Sequence, residues 1–290
     1  MRVALLGSTG QVGRETLAAA TARSNVKLLA LSREDADLLK PGAAADVIRK
    51  LKPDAVVNAA AWTAVDRAET ERDAAFRINA EAVGEIAAAA RDIGARLVHL
   101  STDYVFGGEE DAPLDETAAT KPSNVYGATK LEGENRARAE NPHTVVLRTS
   151  WVYSVHGANF VKTMLKLALS RPEVGVVADQ IGGPTPASAI ALACLSIAGK
   201  ADGPGGLYHF QGAPAASWAD FAEATFRAAG KAVKVNRIST RDYPTPARRP
   251  LRTVLNCSKI LRDYGLGQPD WRLDLVRTVA RLMERRSSED

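Results

Sequence analysis

The chain is poor in the residues that staple small secreted proteins together. Its 290 residues contain two cysteines, Cys194 and Cys257, far apart and without a histidine cluster, which excludes a disulfide framework and a cysteine zinc site. No run of about 18 apolar residues occurs, and the start, Met1 to Gly7, lacks the charged region, long apolar core and cleavage site of a signal peptide. A cytoplasmic protein without membrane contact is expected. A dominant charge is missing too: 38 Lys and Arg are interspersed among 34 Asp and Glu, a formal net charge of +4. That pattern suits small anionic ligands and argues against nucleic acid. What is plentiful is hydrophobic residues, 46% of the chain, enough to bury a large core.

Short apolar runs alternate with helical patterns, as in a parallel sheet covered on both faces. Residues 2–6 read as a strand, followed by Gly7-Ser8-Thr9-Gly10-Gln11-Val12-Gly13 and a helix to about Ala22. Between strand and helix, Gly7 permits the tight turn, Gly10 lets a pyrophosphate approach, and Gly13 lets the helix pack. Thr9, Gln11 and Val12 complete a loop whose helix N-terminus offers amides and partial positive charge to phosphates. A second strand, 26–31, ends at Ser32-Arg33, where an NAD site would place an acid for the ribose. Arginine suits a 2′-phosphate, so NADP(H) is preferred. NAD(H) stays possible because Glu34, Asp35 and Asp37 follow; Asp37 and Leu38 complete this side of the site. A third strand, 55–61, runs into Asn58-Ala59-Ala60-Ala61, small enough to lie against a flat ring system.

Residues 62–71 read as a charged loop and 74–93 as one alanine-rich helix. Asn79 in that helix reads by default as a surface or capping residue and is carried as a candidate for the cofactor edge. A fourth strand, 96–100, delivers Ser101, a cofactor candidate, and Thr102, whose hydroxyl at the strand's carboxyl end is placed to bond a substrate oxygen. His99 reads as a satisfied strand histidine. After a loop over 107–123, a helix over 125–140 puts Tyr126 and Lys130 on one face. An ammonium beside a phenol of ordinary pKa about 10 stabilises the phenolate and moves it toward the acid–base range. Thr102, Tyr126 and Lys130 are therefore the catalytic candidates; Tyr126 and Lys130 also border the cofactor, and no metal is required.

Strands over 144–147 and 174–178, helices over 160–169 and 188–197, a turn-rich loop over 179–186, an interior loop at 203–206 and a helix capped by Ser217 follow. Trp151 offers a flat face to a sugar, and Arg248, Arg249 and Arg252 suit a nucleotide diphosphate. The tail, 281–290, is charged and expected to fray. The predicted fold is α/β: a doubly wound parallel-sheet (Rossmann) domain, 1–151 plus about 174–199, with a smaller mixed α/β C-terminal substrate lobe, about 152–173 plus 200–290.

The glycine loop, Asn58-Ala59-Ala60-Ala61, Ser101-Thr102-Asp103-Tyr104-Val105-Phe106 and Tyr126-x-x-x-Lys130, in this order and spacing, resemble the extended short-chain dehydrogenase/reductase superfamily. Asn58 to Asp66, Arg148 to Tyr153, Asn159 to Met164 and Tyr243 to Pro250 resemble, within it, the dTDP-4-dehydrorhamnose reductase family, with coverage to about Trp271. The resemblance implies reduction of a dTDP-linked 4-keto-6-deoxy sugar, dTDP-4-dehydro-6-deoxy-L-mannose, to dTDP-L-rhamnose. It implies Tyr126 as proton donor, Lys130 on the nicotinamide ribose, Thr102 on the keto oxygen, and Val65, Asp103 and Trp151 around the sugar. Members of the family are described with a magnesium ion bridging a homodimer through glutamates. Glu15 matches the first-helix position, but Ala187, Ser188 and Ala189 stand where another acid is expected, so magnesium is doubtful and a monomer or weak homodimer is predicted. Two alternatives stay open: a reductase of another dTDP-4-keto-6-deoxy sugar, and a non-catalytic regulatory subunit of the same fold.

Overall fold

The computed structural model describes residues 1–109 and 111–287, with side chains to residue 285. The first half runs β1 (Arg2–Leu6), α1 (Gln11–Thr21), β2 (Lys27–Leu31), α2 (Ala43–Leu51), β3 (Ala55–Asn58), α3 (Val65–Ala68), α4 (Arg72–Phe76), a π turn (Arg77–Glu81), α5 (Ala82–Asp92), β4 (Arg96–Thr102), α6 (Val125–Glu140) and β5 (Val145–Thr149). The second half runs β6 (Val152–Tyr153), α7 (Phe160–Leu167), β7 (Glu173–Val177), β8 (Ile181–Gly182), β9 (Thr185–Pro186), α8 (Ala187–Ala198), β10 (Gly206–His209), β11 (Ala216–Ser217), α9 (Trp218–Ala228), β12 (Lys234–Ile238), α10 (Ser258–Tyr264) and α11 (Trp271–Ser287).

Six parallel strands form the main sheet in the order β10-β5-β4-β3-β1-β2. Side chains alternate between its faces, so Val3, Leu5, Val57 and Val98 join one buried cluster with α8, while Ala4, Leu6, Val56 and Leu97 join another with α2 and α5. A sheet covered on both sides needs apolar residues at every position, which is why its strands read as continuous runs. The chain leaves β1 for β2 on one side and then crosses to β3 on the other. That reversal opens a crevice at the carboxyl ends of β1 and β3, where the glycine loop and Asn58-Ala59-Ala60-Ala61 lie.

The smaller lobe is built around rings: Tyr153, Phe160, Phe221 and Trp271 interlock between α7, α9 and α11. Its β7 pairs in parallel with β12, so residues 173–177 belong with this lobe and not with the main sheet, as their sequence position had suggested. Conversely β10, expected in the lobe, pairs with β5 and closes the main sheet's edge. Two further expectations give way. The loop over 62–71 contains α3, and the helix over 74–93 is interrupted by the π turn around Asn79, which is fully buried and not a surface residue. At the C-terminus α11 is helical to Ser287, where fraying was expected from 281; residues 288–290 lie outside those described.

Candidate active site

The glycine loop fits a pyrophosphate. Gly7 has φ +76°, and a Cβ there would come within 2.7 Å of the Ala60 nitrogen, so only glycine serves. A Cβ on Gly13 would meet the Gly7 carbonyl oxygen at 2.2 Å, which fixes the close packing of α1, whereas at Gly10 the nearest atom is 3.4 Å away and the approach is open. Among the described residues the amides of Gln11, Val12 and Gly13 make no backbone hydrogen bond. The Gln11 side chain, a cofactor candidate from sequence, is committed elsewhere: its Oε1 accepts from Asn159 Nδ2 at 2.9 Å and from Ser154 Oγ at 3.2 Å, tying the loop to the lobe. Only its amide remains for phosphate.

At the adenosine end the Ser32 amide and hydroxyl both donate to Asp35, at 2.8 and 2.7 Å, holding the Asp35 carboxyl below its usual range. Arg33 is exposed and only loosely paired with Asp37 at 3.5 Å, so its guanidinium can turn to a 2′-phosphate. Leu38 is buried beneath this edge, and Asp37 also accepts from the Leu39 amide. Two buried hydroxyls, Ser123 and Thr149, have no partner. Thr149 ends β5 in register with Thr102, so its orphaned oxygen stands among the catalytic candidates; the sequence reading assigned it no role.

Helix α6 has almost no apolar stripe. It buries Gly127, Thr129, Lys130, Gly133, Glu134 and Ala137, a face that can leave water only if each polar group finds a partner. Asn124 caps it, its Oδ1 accepting from the Gly127 amide at 2.8 Å. A Cβ at Gly133 would lie 2.0 Å from the Asn79 carbonyl oxygen, so glycine lets α6 press on the π turn. Asn79 then clamps both sides: Oδ1 accepts from Trp62 N at 2.8 Å, while Nδ2 donates to Trp62 O at 3.1 Å and to Thr129 Oγ1 at 3.0 Å. Its side chain braces the chain after the 58–61 strand end against α6. Ser101, another cofactor candidate, is likewise spoken for. Its hydroxyl donates to Glu134 at 2.5 Å, and Glu134 forms a bidentate buried pair with Arg148 at 2.9 and 2.6 Å.

Thr102, Tyr126 and Lys130 meet where β4 ends against α6. The Thr102 hydroxyl donates to Asp103 at 3.1 Å and accepts from the Tyr104 amide. Asp103 is buried and pushed up to about 6 by that burial, although Thr253 and Thr102 both donate to it and pull the other way. Burial also pushes the Tyr126 phenol up to about 12; the Thr102 hydroxyl lowers it and the Asp103 charge raises it. The Lys130 ammonium donates to the Leu100 carbonyl at 2.7 Å and lies 3.4 Å from His99 Nε2, with burial lowering it to about 8. Burial thus outweighs the acidification of Tyr126 expected from Lys130: one turn of helix places both on one face, and the lysine nitrogen is bonded to the Leu100 carbonyl on β4.

On the lobe side Trp151 adopts φ +46°, a costly conformation for a residue with a side chain. Its indole stacks on Trp218 at 3.6 Å and 7°, and a Cβ on Gly182 would come within 2.7 Å of the same ring, so Gly182 covers the other face. Trp151 thus offers an edge and not the flat face expected. Val65 opens α3 half-buried, and Arg248 is exposed, with Asn124 Nδ2 donating to its carbonyl at 2.8 Å. Arg249 is drawn away from phosphate duty by Asp66 at 2.9 Å, and Arg252 donates to the Asp111 carbonyl. Glu15 is buried beside His156 at 3.7 Å, burial raising it against the opposing charges of Arg281 and Arg285. Among the described residues no group of three His, Cys, Asp or Glu could hold a metal ion. No helix there is long and apolar enough to cross a membrane.

Comparison with known proteins adds to this geometry. Residues 1–284 match the family model described as RmlD substrate binding domain. A protein of Sinorhizobium fredii named dTDP-4-dehydrorhamnose reductase is 43% identical, covering 98% of each chain. A solved dTDP-4-dehydrorhamnose reductase from Clostridium acetobutylicum superposes with TM-score 0.93 at 37% identity, over 98% of this chain and 100% of that one. Another, from Bacillus anthracis in complex with NADP, gives TM-score 0.89 at 33% identity, over 97% and 99%. With the glycine cradle, the Thr102, Tyr126 and Lys130 cluster and near-complete coverage together, the chain belongs to the RmlD substrate binding domain family, among whose members are proteins named dTDP-4-dehydrorhamnose reductase.

Proposed function

We propose that this protein reduces the C4 keto group of dTDP-4-dehydro-6-deoxy-L-mannose to give dTDP-L-rhamnose, with NADPH as the preferred reductant. The observation that carries the reading is the meeting of Thr102, Tyr126 and Lys130 at the end of β4, beside a glycine loop shaped for pyrophosphate, in a chain aligned end to end with proteins of that name. The dinucleotide supplies the hydride when bound. Tyr126 gives its proton to the oxygen that becomes the alcohol, and Thr102 donates a hydrogen bond to that same oxygen as charge develops on it. Lys130 holds the nicotinamide ribose; Val65, Asp103, Arg248 and the Trp151 edge orient the sugar nucleotide. The enzyme works in the cytoplasm as a monomer or weak homodimer without magnesium, so its sedimentation should not respond to EDTA.

The test is loss of NADPH absorbance with the 4-keto sugar. Tyr126→Phe should lower kcat by about 100-fold or more, the scale of a lost general acid, while NADPH still quenches tryptophan fluorescence. Turnover with neither nicotinamide would defeat the proposal. Arg33→Ala should raise KM for NADPH about tenfold and leave NADH unchanged, as removal of one charged phosphate contact costs roughly 1.4 kcal/mol.

A further inference from the structure

Behind Lys130 runs a buried chain of hydrogen bonds whose direction is set at its far end. The Ala60 amide donates to Asn58 Oδ1 at 3.1 Å. That fixes the Asn58 amide, because a flipped side chain would set N–H against N–H. Asn58 Nδ2 then faces His99 Nδ1 at 3.2 Å, and both residues are fully buried. An amide nitrogen only donates, so Nδ1 must accept, and a neutral imidazole then carries its single proton on Nε2. His99 is held well below its ordinary value, by burial first and by Lys130 second, and stays neutral.

Nε2 lies 3.4 Å from Lys130 Nζ, which itself donates to the Leu100 carbonyl. An ammonium has only protons to offer and would meet the Nε2 proton head-on; an amine has a lone pair for it. The charged and titratable groups acting on this nitrogen are His99 of β4 and, one turn along α6, Glu134, itself paired with Arg148 of β5. Among them Glu134 alone favours the cation, and burial outweighs it.

We infer that Asn58 and His99 are positioning residues for Lys130: by aiming an N–H at its nitrogen they bias the free protein toward the amine, and a bound dinucleotide turns the lysine into an ammonium by uptake of a proton. The second half rests on the dinucleotide reading above. Phosphates and ribose hydroxyls are negative charge and acceptors, and both favour the cation. One N–H bond forms on Nζ, and the buffer acid loses the proton.

Two measurements test this. Nitrogen-15 NMR of the imidazoles in the ligand-free protein, which has four histidines, should show His99 as the Nε2–H tautomer from pH 6 to 9, its signal identified by its loss in His99→Gln. Asn58→Asp, close to isosteric, should switch it to Nδ1–H. An Nδ1–H tautomer or an imidazolium in the wild type would overturn the inference. Calorimetry of NADPH binding at pH 9 in two buffers of different ionisation heat should show uptake of about 0.9 proton per dinucleotide, since an amine titrating near 8 becomes an ammonium of ordinary affinity. In His99→Gln, whose amide oxygen can accept from the ammonium, uptake should fall to near zero. Uptake absent in the wild type, or unchanged in the variant, refutes the coupling. Absence of NADPH binding would defeat the dinucleotide reading, and proton uptake with it, whereas the tautomer is read without ligand and is judged separately.

Discussion

Lys130 is 2% exposed and carries its charge into a core where only a carbonyl oxygen and the distant Glu134 favour it. The protein holds this lysine at a cost in stability, and the cost has a definite pH dependence. Its folded-state value, about 8, lies below the unfolded one, so at pH 7 both states are protonated and the folded state bears the whole penalty. As pH rises from about 8 toward about 10.4 the folded lysine gives up its proton first, and the penalty fades. Lys130→Met, similar in length, should therefore stabilise the ligand-free protein at pH 7 by on the order of 2 kcal/mol, with the gain shrinking by pH 10, while kcat collapses. Urea unfolding at both pH values reads the sign; a variant less stable at pH 7 would show that the bond to Leu100 outweighs the buried charge. Burial sets the high value of the neighbouring Tyr126 phenol, and the Asp103 charge acts in the same direction.

At the level of elements, α6 was legible to the residue, 125–140, because the run of Ala, Lys, Glu and Arg after Pro122 and Ser123 favours helix; the Asn124 cap emerged only from the structure. β1, α1 and β4 were legible from apolar length and glycine spacing. The π turn was not: an alanine-rich run looks uniformly helical, and what breaks the register is Asn79 reaching across to Trp62 and Thr129, contacts distant in sequence. Nor was the exchange of β7 and β10 between lobes, since a short apolar run carries no mark of which partner strand it will meet. Individual site residues divide the same way. Gly7, Gly13 and Thr102 announce themselves by local geometry, whereas Ser101, Gln11 and the Trp151 ring are claimed by partners the sequence does not identify. Asn79→Ala tests the clamp. It strips three hydrogen bonds from buried groups and should cost about 2–4 kcal/mol in urea unfolding. The KM for NADPH should rise, because the 58–62 edge loses its brace; an unchanged midpoint would mean that water replaces the amide.

Across the whole molecule, one segment decides how the lobes meet. Residues 247–254 cross from the lobe back to the nucleotide domain and are fastened at every step. The Ala247 amide and Arg249 guanidinium donate to Asp66 at 3.1 and 2.9 Å, Asn124 donates to the Arg248 carbonyl, and the Thr253 hydroxyl donates to Asp103 at 2.5 Å. Asp66 lies one residue beyond Val65, Asn124 caps the helix that carries Tyr126, and Asp103 follows Thr102. The strap is therefore anchored on the elements that bear the catalytic groups, and it carries the exposed Arg248 side chain. If the strap's task is to place Arg248 and close the sugar side, loosening it should weaken the sugar nucleotide and spare the cofactor, whose cradle is the glycine loop after β1. Asp66→Ala removes a two-pronged carboxylate and should raise KM for the dTDP sugar about tenfold or more, on the scale of a lost charge-assisted pair, with NADPH affinity unchanged. Asp66→Asn, which can still accept from the Ala247 amide, should recover part of the loss. Equal weakening of both ligands would instead mean that Asp66 supports the domain as a whole and that the strap has no separate hold on the sugar side.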